Sequence, residues 1–197
     1  MSFDFLLRLP GLLFAIIIHE FSHGYAAYLL GDNTAKNSGR LTLNPIKHLD
    51  LIGFIFLLVF RFGWAKPVPI NSSNFKNRKR GTLIVSLAGP FSNFLTALII
   101  AFIISLGFIK SNLLLNILLI GLWYNIMLGV FNLIPLPPLD GSKILASLLP
   151  SKIEYFFYKN ERYFNLILII LVLSNLIDKI LTPLIDFSLN ILLKIIG

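Results

Sequence analysis

The chain has 197 residues, of which 56% are hydrophobic and only 13% charged, and its formal net charge is +8. Soluble domains carry about 25% charged residues, so this composition is typical of an integral membrane protein and leaves little length for a soluble domain. The chain contains no cysteine, which excludes a disulfide framework and a thiolate metal site. Any metal bound here therefore has nitrogen and oxygen ligands.

Apolar runs at 9–30, 83–109, 113–136 and 163–181 reach the length of about 20 residues that a spanning helix needs. The first run lacks a basic leading region and a small-residue cleavage site, so we interpret it as a retained span and not as a signal peptide. The apolar segment 184–197 is shorter. It fits either an interfacial helix or a short final span.

Basic residues predict the orientation of these spans. Nine of the 17 Lys and Arg lie within residues 31–81, between two apolar runs: Lys36, Arg40, Lys47, Arg61, Lys66, Lys76, Arg78, Lys79 and Arg80. Such clustering is typical of a cytoplasmic loop, so we interpret the positive charge as an orientation signal and expect no nucleic-acid partner. The basic residues between 143 and 162 then fall on the same side of the membrane.

Two pieces of the 31–81 region are apolar or proline-rich. The run "LIGFIFLLVF" (51–60) is too short to span, and a crossing there would place basic residues on both sides, so we expect it to be re-entrant. The stretch "WAKPVPIN" (64–71) has prolines that cannot donate to a ladder, which predicts an edge strand or an extended loop. With no internal repeat, we expect one domain over 1–197, with its core motifs in 15–145 and C-terminal helices in 163–197.

The first apolar run contains the motif H-E-x-x-H, formed by His19, Glu20 and His23. On a helix the two histidines are about one turn apart, so both imidazoles can reach one ion, with Glu20 near enough to take a proton from water there. The alternative is a set of intrahelical hydrogen bonds or a proton relay. Because ionisable groups inside a membrane are costly and usually functional, we favour a metal site.

A catalytic zinc site typically has three protein ligands, so one ligand is missing from the motif. The stretch "NLIPLPPLDG" (132–141) favours Asp140, because its prolines prevent a regular helix and non-helical backbone at membrane depth lines cavities. His48 is expected to be interfacial and not a ligand. The remaining candidates are the other carboxylates: Asp4, Asp32, Asp50, Asp178, Asp186, Glu154 and Glu161.

The next span carries "AGPFSN" (88–93), which taken alone suits close helix packing, a kink and an interhelical hydrogen bond. If a metalloprotease site exists, the amide of Asn93 could hold a substrate carbonyl or stabilise the oxyanion.

Together these stretches resemble the site-2 protease family of intramembrane zinc metalloproteases. The resemblance rests on "HEFSH", "GRLTLNP", "WAKPVPIN", "GPFSN" and "NLIPLPPLDG", which follow the family's order over residues 15 to 145. It implies that His19, His23 and Asp140 bind one Zn²⁺, that Glu20 activates water and that Asn93 contacts substrate. One departure is Leu51, where related sequences usually have proline, and it affects only the local turn.

The resemblance implies an all-α polytopic membrane protein, which we expect to be a bundle of about four to five transmembrane helices with a re-entrant segment and a small membrane-associated β element at 64–71. A protease of this type cleaves a single-pass membrane protein, from an active site toward the cytoplasmic side of, in our expectation, a prokaryotic cell membrane. No PDZ or CBS module fits in 197 residues, so we expect the membrane core to select substrate. The oligomeric state stays open.

A transmembrane substrate must unwind before cleavage, because its carbonyls are hidden in helical hydrogen bonds. Segment 64–71 could add the unwound chain as a strand, with Val68 and Ile70 as its pairing positions. Two other functions use the same polar residues: a zinc or proton transporter, and an inactive membrane scaffold. A transporter predicts further ionisable residues at mid-membrane, but 94–109 and 163–177 contain none.

Overall fold

The computed structural model describes residues 3–60 and 63–196, and this part of the chain is almost entirely helical. The helices are α1 (Phe3–Leu29), α2 (Thr34–Asn37), α3 (Pro45–His48), α4 (Leu51–Phe60), α5 (Arg78–Ser105), α6 (Asn112–Asn132), α7 (Asp140–Leu148), α8 (Ser151–Lys159), α9 (Glu161–Leu173) and α10 (Leu176–Ile196). The all-α prediction is confirmed. Arg61 and the side chain of Asp4, both named above, lie outside the described part.

Three helices are long and apolar enough to cross a membrane: Leu7–Leu29 of α1, and all of α5 and α6. They match the first three predicted runs. Helix α6 ends at Asn132, just before the proline-rich stretch, because prolines lack the N–H that would continue the helical ladder. The interpretation of 133–139 as a non-helical break is therefore confirmed.

The run 163–181, predicted as one span, is not a single helix in the structure. Helices α9 and α10 are separate and bent by 78° relative to one another. Asn175 lies between them with a φ of 56°, a left-handed conformation that a right-handed helix cannot contain and that asparagine tolerates better than most residues. The described chain thus has three candidate spans, or up to four if the bent pair crosses as one. Segment 184–196 is the second half of α10 and not a separate helix.

Segment 64–71 is extended, as expected, but it forms only one isolated antiparallel bridge, between Leu49 and Ala65. The Lys66 N–H donates to the carbonyl of His48 at 2.9 Å beside it. No longer strand occurs in the described ranges, so the predicted β element is not confirmed. Segment 51–60 is the ten-residue helix α4, too short to span, and its re-entrant placement stays a prediction.

The apolar core lies where α5, α6 and α10 pack together. Its fully or nearly buried members are Ala97, Ile100, Ala101, Leu122, Ile126, Val130, Ile177, Leu181, Ile185 and Leu192. Helix α1 packs on the other side of α5 and α6, and a Cβ on its Gly11 would lie 3.1 Å from the Cα of Gly121 in α6. Small residues at such crossings let helix backbones approach closely. This close packing brings the polar residues of α1 against those of α5, α6 and α7.

Candidate metal and catalytic site

Three of the predicted site residues meet between α1 and the start of α7. The Nε2 atoms of His19 and His23 lie 2.9 Å apart. Oδ2 of Asp140 is 3.0 Å from Nε2 of His19 and 2.9 Å from Nε2 of His23. All three residues are buried. We call His19, His23 and Asp140 the metal cluster, because among the described residues they are the group of histidines and acids whose ligand atoms converge.

The proline-rich break positions Asp140. It lets the chain turn after α6 so that α7 begins with Asp140 itself. A Cβ on the following Gly141 would collide with the carbonyl oxygens of Leu133 and Ile134, so only glycine permits this compact turn. Lys143, one turn further along α7, donates to Oδ1 of Asp140 at 3.1 Å. The other carboxylate oxygen, Oδ2, is the one directed at the histidines.

The hydrogen-bond partner of His23 fixes its tautomer. Its Nδ1 lies 2.7 Å from the carbonyl oxygen of Val85 in α5. A carbonyl can only accept, so Nδ1 carries the hydrogen, and Nε2 of the neutral ring presents a lone pair. Metal-binding histidines are commonly oriented in this way by a backbone carbonyl at the second ring nitrogen.

The tautomer of His19 follows from a chain of buried amides. Asn125 donates its Nδ2 to the carbonyl of Gly121 at 2.8 Å, so its Oδ1 faces Asn93. Asn93 therefore donates its Nδ2 to Oδ1 of Asn125 and to the carbonyl of Ala15, both at 3.0 Å. Its own Oδ1 then faces Nδ1 of His19 at 2.7 Å, which makes that nitrogen the donor. The Nε2 atom of His19 is left with a lone pair.

The metal cluster therefore brings together three electron-pair donors: two imidazole nitrogens without hydrogens and one carboxylate oxygen. Such atoms about 3 Å apart repel one another unless a cation or a proton lies between them, and their burial limits the water that could otherwise screen them. Two histidines and one carboxylate are also a ligand set found in catalytic zinc sites. The residues present thus fit a zinc ion.

Glu20 points to the extended segment and not into the metal cluster. Its Oε2 accepts the main-chain N–H of Val68 at 2.8 Å. Glu20, the metal cluster, Val68 and Ile70 line one cavity of about 600 Å³. A larger apolar cavity of about 900 Å³ adjoins it, and both are lined by Ile16, Trp64, Ala65, Leu128 and Phe131. The chemistry-bearing residues belong to the smaller cavity, which we call the catalytic cavity.

The other predicted positions differ in their surroundings. Asn93 is 0% exposed and both of its amide hydrogens are donated inside the protein. Ile70 is 38% exposed, whereas Val68 is buried. His48 is 1% exposed, donates from Nε2 to the carbonyl of Thr42 at 2.6 Å and lies outside the metal cluster. It is the last residue of α3 and is buried within the protein, and its expected place at the membrane interface stays a prediction.

Two of the carboxylates proposed as alternative ligands have partners away from the metal cluster. Oδ1 of Asp50 accepts the N–H of Gly53 at 2.8 Å, and Glu154 pairs with Arg78 at 2.7 Å. Sequence reasoning missed the role of Asn125, although a polar residue inside the apolar run 113–136 was a signal. It also missed the carbonyl of Val85, for which the side-chain sequence gives no signal.

Comparison with known proteins adds independent information. The model of peptidase family M50 matches residues 107–174. The chain is 39% identical over 192 residues to YwhC of Bacillus subtilis, provisionally named a zinc metalloprotease; the match covers 93% of this chain and 88% of that relative. It is 26% identical over 183 residues to Rip2 of Mycolicibacterium smegmatis, named likewise, with 89% and 70% covered.

A third relative is the zinc metalloprotease MJ0392 of Methanocaldococcus jannaschii, 28% identical over 144 residues, which are 72% of this chain but only 34% of that protein. No solved structure matches the chain. The match to YwhC extends over nearly the whole of both chains, so its range spans residues 19–23, which the family model's match does not reach.

Proposed function

Because the chain belongs to peptidase family M50, the site-2 protease family, we propose that it is an intramembrane protease that hydrolyses peptide bonds in transmembrane segments of other membrane proteins. Zinc is the cofactor of this metalloprotease, and its helices make it an integral, multi-pass membrane protein. The site of cleavage, inside the membrane, and the substrate, a transmembrane segment of another protein, are what we propose beyond membership of the family. The observation that carries the proposal is the burial of the metal cluster, with the partly buried Glu20 beside it, among three apolar, span-length helices.

We assign one zinc ion to each chain, held by Nε2 of His19, Nε2 of His23 and Oδ2 of Asp140. The tautomers argued above support this assignment, since each ring offers the lone pair that a metal needs. Bound zinc supplies Lewis acidity that polarises a scissile carbonyl and makes water a better nucleophile near neutral pH. Asn93 and the carbonyl of Val85 keep both rings oriented while this happens.

Glu20 acts as the general base. Its Oε2 is occupied by the Val68 N–H, so Oε1 is the oxygen that takes a proton from the attacking water and returns it to the leaving amine. Glu20 directly follows His19 in the sequence, and α1 places its side chain on the wall of the catalytic cavity.

The size of the catalytic cavity favours a short unwound stretch of substrate over an intact helix. A helix with side chains is about 10 Å across, and a cavity of about 600 Å³ is closer to the size of a small-molecule site. The exposed edge at Ile70 offers main-chain groups to such a stretch. The N–H of Val68 can bond to substrate only by leaving Glu20, so Ile70 is the better placed of the two proposed pairing positions.

Asn93 is proposed to contact substrate by family resemblance, and its contacts suggest orientation of His19 as a further role. An oxyanion contact would require one of its two amide hydrogens to leave Ala15 or Asn125. We further propose a single domain over 1–197 in the cell membrane of a prokaryote, with the site toward the cytoplasm. The basic residues at the start of α5 support this orientation, because they lie at the end of that helix nearer Val85.

The test is the zinc content of the purified protein, together with its cleavage of a reporter transmembrane helix in detergent or bilayer. The wild type should bind zinc and cleave the reporter within its apolar segment, while Glu20→Gln should bind zinc and not cleave. Cleavage only outside the apolar segment would contradict the intramembrane assignment. Zinc binding without any cleavage would favour the scaffold alternative.

A further inference from the structure

Two buried charged residues, Asp32 and Arg40, have no part in the proposed chemistry. Asp32 is 0% exposed and Arg40 7% exposed, and both lie in the loop after α1. Burying a charge is costly unless it is well paired. Both residues form hydrogen bonds with the same piece of chain, which is the extended segment 64–71 and the turn that follows it.

Asp32 holds the C-terminal end of this segment. Its Oδ2 accepts the N–H of Asn71 at 2.7 Å, and its Oδ1 accepts the side-chain amide of Asn74 at 2.7 Å. The N–H and hydroxyl of Thr34 complete the set at 3.1 and 2.5 Å. These four donors satisfy the carboxylate and fix Asn71 to the end of α1.

Arg40 holds the other end. Its Nη2 donates to the carbonyl oxygens of Lys66 at 2.6 Å and Pro67 at 3.2 Å. The salt bridges in the described part of the chain involve other residues. The Arg40 guanidinium instead donates hydrogen bonds to main-chain carbonyls. Arg40 is itself tied to the loop by its N–H, which donates to the carbonyl of Ala35 at 2.8 Å.

Between these two anchors lies Val68, whose N–H reaches Glu20 at 2.8 Å. Pro67 and Pro69 flank it, and their rings fix φ, so the short stretch between the anchors has few ways to relax. The Val68 side chain is buried and packs toward Gly24 of α1, where a Cβ would lie 3.1 Å from its Cγ1. A displacement at Lys66 and Pro67 would therefore be passed to the Val68 N–H.

We propose that Arg40 is a positioning residue for Glu20: it acts through the carbonyls of Lys66 and Pro67 to keep the Val68 N–H on Oε2 of Glu20, with Asp32 fixing the far end of the same segment. This inference rests on the proposed function for its kinetic consequence. The hydrogen bond between the Val68 N–H and Glu20 can be measured whether or not the protein cleaves a substrate. A general base that is free to rotate spends less time where it can take the proton, so the cost falls on turnover.

The first test measures the contact without activity. Hydrogen exchange of a peptide covering 64–71 is simple to interpret, because Pro67 and Pro69 have no amide hydrogen. The Val68 amide, identified by its absence in Val68→Pro, should be protected in the wild type and lose protection in Arg40→Ala and in Glu20→Ala. Lys47→Ala is the matched control, since it removes one exposed positive charge from α3, in the same region between α1 and α4, and it should leave the protection unchanged.

Protection of α5 and α6 peptides must stay at the wild-type level, which separates a local effect from general unfolding. Loss of Val68 protection in Arg40→Ala supports the proposal whether or not the wild type cleaves the reporter. Unchanged Val68 protection in Arg40→Ala overturns it, even where the wild type cleaves. The failure of this inference is therefore distinct from failure of the proposed function.

The second test uses kinetics. Displacements of about 1 Å can cost roughly 100-fold in rate, so Arg40→Ala should lower kcat by up to that factor with zinc content and KM close to wild type. Arg40→Lys keeps a cation and should recover part of the loss. Arg40 acts through the Val68 N–H, which Val68→Pro removes. The double variant with Arg40→Ala and Val68→Pro should therefore have a kcat only slightly below that of Val68→Pro alone. The reference for both is Val68→Ala, which changes the side chain but keeps the N–H. A fold-loss of kcat in the double variant equal to the product of the two single losses would overturn the proposal.

Discussion

Gly89 of α5 lies directly against the imidazole of His23: a Cβ at this position would be 2.5 Å from Nε2 of His23 and 2.6 Å from Cε1 of His19. Glycine inside a helix costs about 1 kcal/mol relative to alanine. The space that it leaves is occupied by the rings of the metal cluster. The close approach of α5 to α1 and the geometry of the metal cluster thus depend on one missing methyl group.

Gly89→Ala should therefore lose zinc while α5 stays helical. The added methyl must displace one of the two rings, and the ligand atoms then no longer converge. The measurement is zinc per folded protein with the melting temperature in parallel. Gly121→Ala is the control, because a Cβ there meets only the Cδ1 of Ile100 at 3.7 Å, an ordinary contact. Full zinc binding by Gly89→Ala would contradict the proposed position of the metal.

His19→Ala, His23→Ala and Asp140→Ala should each abolish tightly bound zinc, since two protein ligands are too few for a stable site. Metal analysis of the purified variants checks this. His48→Ala is the comparison, because His48 is equally buried but bound to the carbonyl of Thr42. Stoichiometric zinc in Asp140→Ala would place the third ligand elsewhere.

Glu20→Gln should keep zinc and lose turnover by several orders of magnitude, since the amide cannot act as a base while the metal cluster is untouched. Glutamine retains an oxygen that can accept the Val68 N–H, so the extended segment should stay in place. Zinc content and reporter cleavage are measured on the same preparation. Parallel loss of zinc and activity would make Glu20 a ligand or a structural residue.

Ile70→Pro removes one main-chain N–H from the proposed pairing edge without touching the bond between Val68 and Glu20. Cleavage of a stable helical reporter should fall more than cleavage of a reporter weakened by glycine or proline near the scissile bond, because the second needs less help to unwind. The quantity measured is the ratio of the two rates, with zinc assayed in parallel.

Val68→Pro should also change that ratio if Val68 pairs with substrate, but it will lower both rates if its main effect is on Glu20. An unchanged ratio in Ile70→Pro, with activity near wild type, would leave 64–71 as a connector.

Asp32 should make folding stability depend on pH. Burial raises the pKa of its carboxyl, but the Thr34 hydroxyl and the N–H groups of Asn71, Asn74 and Thr34 outweigh burial and hold the pKa below its usual range. A lowered folded pKa means that the stabilisation is fully present above the unfolded value of about 3.9 and is lost as the pH falls through the folded pKa.

The melting temperature of the wild type should therefore exceed that of Asp32→Asn at pH 7, and the difference should shrink as the pH falls below about 4. Thermal unfolding of both proteins in one detergent over this range checks the sign. A difference that grows on acidification would mean that the carboxyl is stabilised in its protonated form.

Much of this protein was predictable because the relevant patterns are local. Apolar length predicted the helices that match 9–30 and 83–109, the prolines predicted the end of α6, and motif order predicted the family to which the chain is shown to belong. The break within the predicted span 163–181 was missed because hydropathy is insensitive to backbone conformation. It cannot register that Asn175 adopts a left-handed φ that breaks the helix.

The sequence by itself determined that the chain is an all-helical membrane metalloprotease, because spans, breaks and the i, i+4 spacing of H-E-x-x-H are properties of neighbours along the chain. The sequence favoured Asp140 over the seven other candidate carboxylates, but only the tertiary structure decided that it meets the histidines. The tertiary structure also decided that Asn125 fixes the tautomer of His19 and that the Val68 N–H meets Glu20. These contacts join residues 32 to 121 positions apart. They depend on how closely α1, α5 and α6 pack, which local patterns do not contain.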